Sequence, residues 1–136
     1  MSRFHLGLII NPLAGLGGTV ALKGSDGVAA QALALGAEPR AAARTRIALE
    51  SLLPIAERVQ FVTFAGAMGA DLLAAMGFTY RVLGPAQLPL SSAADTQAAV
   101  LALQAEGVAL LLFAGGDGTA RDVCAVAAAT QPVLGI

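Results

Sequence analysis

Five short apolar runs alternate along this chain with alanine-rich stretches, and that alternation constrains the fold more than any other feature. The runs are His5–Ile10, Val59–Phe64, Tyr80–Leu83, Val108–Phe113 and Pro132–Ile136. Each is nearly continuous in its apolar character, as a strand buried on both faces must be. The stretches between them, Pro39–Leu53, Ala67–Met76, Asp95–Glu106 and Thr119–Ala129, carry Leu and Val at helical spacing among the alanines. Strand alternating with helix predicts an α/β fold, a three-layer parallel sheet with helices on both faces. At 136 residues the chain fits one domain. A composition 57% hydrophobic and 12% charged, with a mean hydropathy of +0.75, suits a sheet buried on both sides. It equally suits a chain that hides further surface against a second domain or subunit, and a homo-oligomer is expected on that ground.

Several function classes fall away early. Phe4 to Leu22 has no Asp, Glu, Lys or Arg and is long enough for a membrane span, but Asn11-Pro12 and the glycines at 15, 17 and 18 break it. The same break ends any secretory signal before an apolar core of proper length forms, so the cytoplasm is the default location. Eight Lys+Arg oppose nine Asp+Glu, for a net charge of −1, and there is no Trp and one Tyr. Neither charge nor stacking residues support nucleic-acid binding. Cys124 is the sole cysteine and His5 the sole histidine, which leaves no disulfide framework and no Cys-based metal site and argues against a His-ligated zinc site or a Ser-His-Asp triad within the chain.

Two glycine-rich segments follow apolar runs. Gly115-Gly116-Asp117-Gly118-Thr119 stands between the fourth run and a helix. Glycines let a phosphate approach the backbone amides closely, and a helix N-terminus adds free N–H groups and partial positive charge. Asp117 would then stand beside bound phosphate, either as general base toward a hydroxyl or as a holder of Mg²⁺. Thr119 and Asp122 also fit a capping box at the start of that helix, with Asp in place of Glu or Gln. Asn11-Pro12-Leu13-Ala14-Gly15-Leu16-Gly17-Gly18 follows the first run. It is neither a Walker A loop nor a dinucleotide fingerprint. Two such segments after two strands of one sheet point to a shared phosphate site. From Asn11 to Pro39 the only further periodic signal is a short helix near Val28–Leu35. A connection of that length is usually functional or disordered.

The pair Asn-Pro-x-Ala-Gly-x-Gly-Gly and Gly-Gly-Asp-Gly-Thr resembles the ATP-NAD kinase superfamily, and most closely its acetoin-catabolism protein X-like branch. Leu22-Lys23-Gly24-Ser25-Asp26-Gly27 and Ala94-Asp95-Thr96 look like that branch as well. The resemblance covers nearly the whole chain. It implies an N-terminal α/β domain, a β-rich C-terminal domain beyond it, and a site in the cleft between them. The chain would then be a fragment, inactive by itself. The implied reaction moves a phosphoryl group from ATP, or polyphosphate, to the 2′-hydroxyl of NAD or a related nucleotide, with Mg²⁺. By the same resemblance Asp117 faces the acceptor ribose, Gly115, Gly116, Gly118 and Thr119 line the phosphate site, and Asn11, Gly15, Gly17 and Gly18 line its other wall. A diacylglycerol-type lipid kinase and a non-catalytic nucleotide-sensing module remain alternatives.

Other polar residues have weaker signals. Lys23 and Arg121 are candidate cations, each also readable as a solvated surface charge. Asp26 and Asp95 are candidate second carboxylates near a metal. Asp95 reads equally as a helix cap after Ser91-Ser92. His5 reads as structural, Cys124 as a small core residue, Met68 and Met76 as filler on a helix. Arg40, Arg44 and Arg46 read as a solvated helix face with a lesser case for phosphate.

Overall fold

The computed structural model describes residues 3–11, 40–83 and 93–136. Strand β1 (Phe4–Ile10) is followed by helix α1 (Arg40–Glu50), a 3₁₀ turn at Leu53–Arg58, and β2 (Val59–Thr63). A second 3₁₀ turn (Gly66–Met68) leads into α2 (Ala70–Met76) and β3 (Tyr80–Val82). Helix α3 (Ala93–Ala105), β4 (Leu110–Ala114), α4 (Asp117–Val126) and β5 (Val133–Gly135) complete the order. All four strand pairings are parallel, in the order β3-β2-β1-β4-β5. The predicted three-layer α/β fold is the one observed.

Alternation along the strands sorts the core into two halves. Leu6, Leu8 and Ile10 of β1 join Phe61 and Leu112 on one face, under α1 and α2 through Ala41, Leu49 and Leu73. Ile9 joins Val62, Leu111 and Phe113 on the other, under α3 and α4 through Val100, Leu103 and Val123. Helix α1 seats itself by residues four apart: Ala41, Thr45 and Leu49 are all fully buried. The Thr45 hydroxyl, which would be costly to bury unpaired, donates to the Ala41 carbonyl at 2.7 Å. Phe78, just past α2, meets Phe61 edge-on with ring centroids 5.1 Å apart, a contact worth about 0.5–1.5 kcal/mol beyond its buried area.

Helix boundaries correct the sequence reading in three places. Met68 lies in the 3₁₀ turn before α2, where it is buried, and only Met76 is on the helix itself. Helix α4 opens at Asp117, with Gly116 as the residue before it, so Thr119 is inside the first turn and no capping box forms. The same helix stops at Val126 although alanines continue to Ala129. The Ala128 N–H is taken by the Gln104 side chain at 2.6 Å, and a turn closed by Gln131 N–H to the Ala128 carbonyl sends the chain back to the sheet. Cys124 is exposed on α4 and is not a core residue. The short helix expected near Val28–Leu35 lies outside the described residues.

Strand order fixes where a ligand can sit. β1 and β4 are neighbours, yet the chain winds from β1 toward β3 on one side and from β4 toward β5 on the other. Their connecting helices cover opposite faces. The carboxyl ends of β1 and β4 therefore border a crevice, the usual ligand position in open parallel sheets.

Candidate functional site

Residue Asn11 leaves β1 at this crevice and Gly115 leaves β4 beside it. The Asn11 N–H donates to the Ala114 carbonyl at 2.8 Å, which prolongs the β1–β4 ladder by one residue. The Asn11 side-chain amide donates to the Thr119 hydroxyl oxygen at 3.1 Å. Thr119 is only 3% exposed, so this bond fastens the end of β1 to the first turn of α4. The first and fourth strands thus contribute to one structure.

The three glycines there do different things. A Cβ on Gly115 would lie 2.2 Å from the Thr119 Oγ1 and 2.5 Å from its Cβ, so the backbone at 115 passes directly over the threonine. Gly115 is glycine because Thr119 folds back beneath it. Around Gly116 and Gly118 a Cβ would meet nothing within 4 Å. Gly116 is extended (φ −92°, ψ −168°), a conformation open to any residue. Neither packing nor dihedral strain explains these two glycines. What they leave is bare backbone at the start of a ten-residue helix.

That helix start has the electrostatics of an anion site. Gly116 has no side chain to cap it. The first intrahelical bond runs from the Ala120 N–H to the Gly116 carbonyl at 3.1 Å. Helical geometry leaves the N–H groups of Gly118 and Thr119 without partners in the helix, and the helix dipole adds a partial positive charge. Bare backbone and first-turn donors together fit a phosphate.

The other expected residues distribute as follows. Asp117 is the first residue of α4, at the crevice; its side chain lies outside the description. Thr96 is 2% exposed in the first turn of α3, which packs beside α4 and starts at the same edge of the sheet. Asp95 precedes it, its side chain again outside the description. Asp122 is half-buried and Arg121 exposed on α4. Gly15, Gly17, Gly18, Lys23 and Asp26 lie outside the described residues. Among the described residues no cluster of three or more His, Cys, Asp or Glu is brought together.

The family model of the ATP-NAD kinase N-terminal domain matches residues 6–136. The chain belongs to the ATP-NAD kinase family. No curated protein and no solved structure gives a significant match. In this ATP-NAD kinase domain the matched region runs from the third residue of β1 to the last residue, and so contains both glycine segments. Membership makes it a kinase-type phosphotransferase domain. No helix among the described residues is long and apolar enough to cross a membrane.

One contact at this site has no signature in the sequence. Arg44, on the exposed side of α1, donates through Nη2 to the Gly115 carbonyl at 2.9 Å. The sequence reads it, with Arg40 and Arg46, as a solvated helix face with a lesser case for phosphate, and exposed it is. Position in a helix seventy-one residues upstream gives no sign of this contact, which arises only when α1 packs across β4.

Proposed function

We propose that this domain binds ATP, or polyphosphate, at the Gly115–Thr119 turn and supports transfer of a phosphoryl group to a nucleotide hydroxyl, the 2′-hydroxyl of NAD by the chemistry of its family. The observation that carries this is the bare backbone at Gly116 and Gly118, where neither packing nor dihedral angle calls for glycine. Phosphate oxygens would take the first-turn N–H groups of α4. Phosphoryl transfer depends on positioning and charge neutralisation more than on covalent chemistry, and a backbone cradle supplies the positioning.

Within this reading Asp117 is the base or orienter for the acceptor hydroxyl. It stands in sequence between the two bare glycines, and it opens the helix at the crevice. Asn11 and Thr119 hold that turn against β1; Gly15, Gly17 and Gly18, outside the described residues, are assigned to the same site by the family resemblance alone. Mg²⁺, when bound, would neutralise charge on the transferring phosphates. With no acidic cluster among the described residues, the ion would arrive on the nucleotide with a few protein oxygens, in keeping with its preference for phosphate and water ligands. A β-rich C-terminal domain beyond residue 136 would complete the dinucleotide site.

The test is incubation of the complete protein with ATP, Mg²⁺ and NAD, with NADP as the product sought, and diacylglycerol in a parallel arm. Asp117→Asn is expected to lower turnover at least about a hundredfold, roughly 2.7 kcal/mol of barrier. Wild-type turnover in that variant would sink the assignment of Asp117. Nucleotide binding without any product would favour a sensing module instead.

A further inference from the structure

The Arg44 contact asks for more explanation than a surface clamp provides. An arginine side chain carries a positive charge and five N–H donors in a rigid fork. One of them is spent on the Gly115 carbonyl. Among the described residues the only ion pair is Arg81 with Glu106, and no described carboxylate pairs with Arg44. A guanidinium with no described carboxylate partner is therefore moored to the first residue of the turn whose next residues offer bare backbone. The mooring point is itself fixed, because Gly115 sits tightly over Thr119 and Thr119 is bonded to Asn11.

We propose that Arg44 is a positioning residue of the phosphate site, which holds the Gly115 carbonyl and at the same time lends its charge to the phosphate bound at Gly116–Gly118. This rests on the phosphate-site reading above and adds a side-chain cation to it. The chemical demand is plain. A polyphosphate chain brings several negative charges, and backbone dipoles with a helix end offset only a fraction of them. A guanidinium that bonds the carbonyl through one N–H still sets its positive charge beside the turn, and that charge is what the phosphate chain requires. Placing that cation on α1, on the opposite face of the sheet from α4, lets charge approach the turn from the side the helix dipole does not reach.

The experiment is a titration of the full chain with inorganic triphosphate, without nucleotide, at low and high salt. It compares wild type with Arg44→Met and Arg44→Lys and records thermal midpoints alongside. Arg44→Met is expected to bind about tenfold more weakly and with a shallower salt dependence, while Arg44→Lys stays within about threefold of wild type. Thermal midpoints should agree, since Arg44 is exposed. Equal affinity in wild type and Arg44→Met would overturn the inference and leave the phosphate site standing. An equal loss in Arg44→Met and Arg44→Lys would also overturn it, because a fork needed only to shape the turn gains nothing from retained charge. If the wild type itself takes up no triphosphate, the phosphate-site reading falls first. Should Arg44→Met not fold, Arg44→Gln takes its place with the same expected loss.

Discussion

At the scale of single residues, the three glycines of one turn can be told apart by what surrounds them. Gly115→Ala forces a Cβ into the Thr119 side chain and is expected to cost about 1–3 kcal/mol in chemical denaturation. Gly116→Ala and Gly118→Ala enter open space, so their stability should stay within about 0.5 kcal/mol of wild type. Their affinity for ATP should nevertheless fall, because the new methyl groups occupy what we assign to phosphate. If all three variants lose stability alike, the turn is a structural feature and the open backbone has no ligand. The sequence marked all three glycines as candidates, since their number exceeds what a turn requires. It could not divide them, because the division depends on Thr119 folding back under Gly115. The Arg44 contact was not legible for a related reason: its partner is a main-chain carbonyl, and no side-chain pattern records where a carbonyl points.

At the scale of elements, the five strands were legible because burial on both faces demands continuous apolar runs. Helix ends were legible only where local chemistry decides them. Gly77 shows the favourable case. It closes α2 with φ +82°, its N–H donates to the Ala74 carbonyl at 3.2 Å, and the Phe78 N–H returns to the Leu73 carbonyl at 3.0 Å. This is the paired bonding that glycine makes easy at a helix end. Gly77→Ala is expected to destabilise the fold by about 1 kcal/mol, read as a lower denaturation midpoint with an unchanged slope. Helix α4 shows the opposite case at both ends. Its start at Asp117 follows from β4 delivering two glycines at the crevice, and its end at Val126 follows from a side chain of α3. Thr119-Ala120-Arg121-Asp122 contained a valid capping pattern that tertiary structure did not use.

At the scale of the whole molecule, strand order was beyond the sequence, since alternation of strand and helix is compatible with several windings. Among the described residues one face also keeps apolar side chains exposed. A groove of about 400 Å³ runs between the end of α1 and the sheet, lined by Phe4, Leu52, Ile55, Leu110, Leu134 and Ile136. Phe4, Ile55 and Leu134 are each 44–54% exposed there. An apolar surface of this kind should bind an environment-sensitive dye such as anilinonaphthalene sulfonate in the folded state. Leu134→Lys is expected to lower that fluorescence several-fold while leaving triphosphate affinity unchanged, because the groove and the glycine turn occupy different parts of the sheet. The pairing of Leu6–Ile10 with Leu110–Ala114 has a consequence of its own. A polypeptide severed between residues 83 and 93 would leave Asn11 on one piece and Thr119 on the other. On the phosphate-site assignment neither piece would hold the whole site, so uptake of phosphate would report the moment at which two remote stretches of chain find each other.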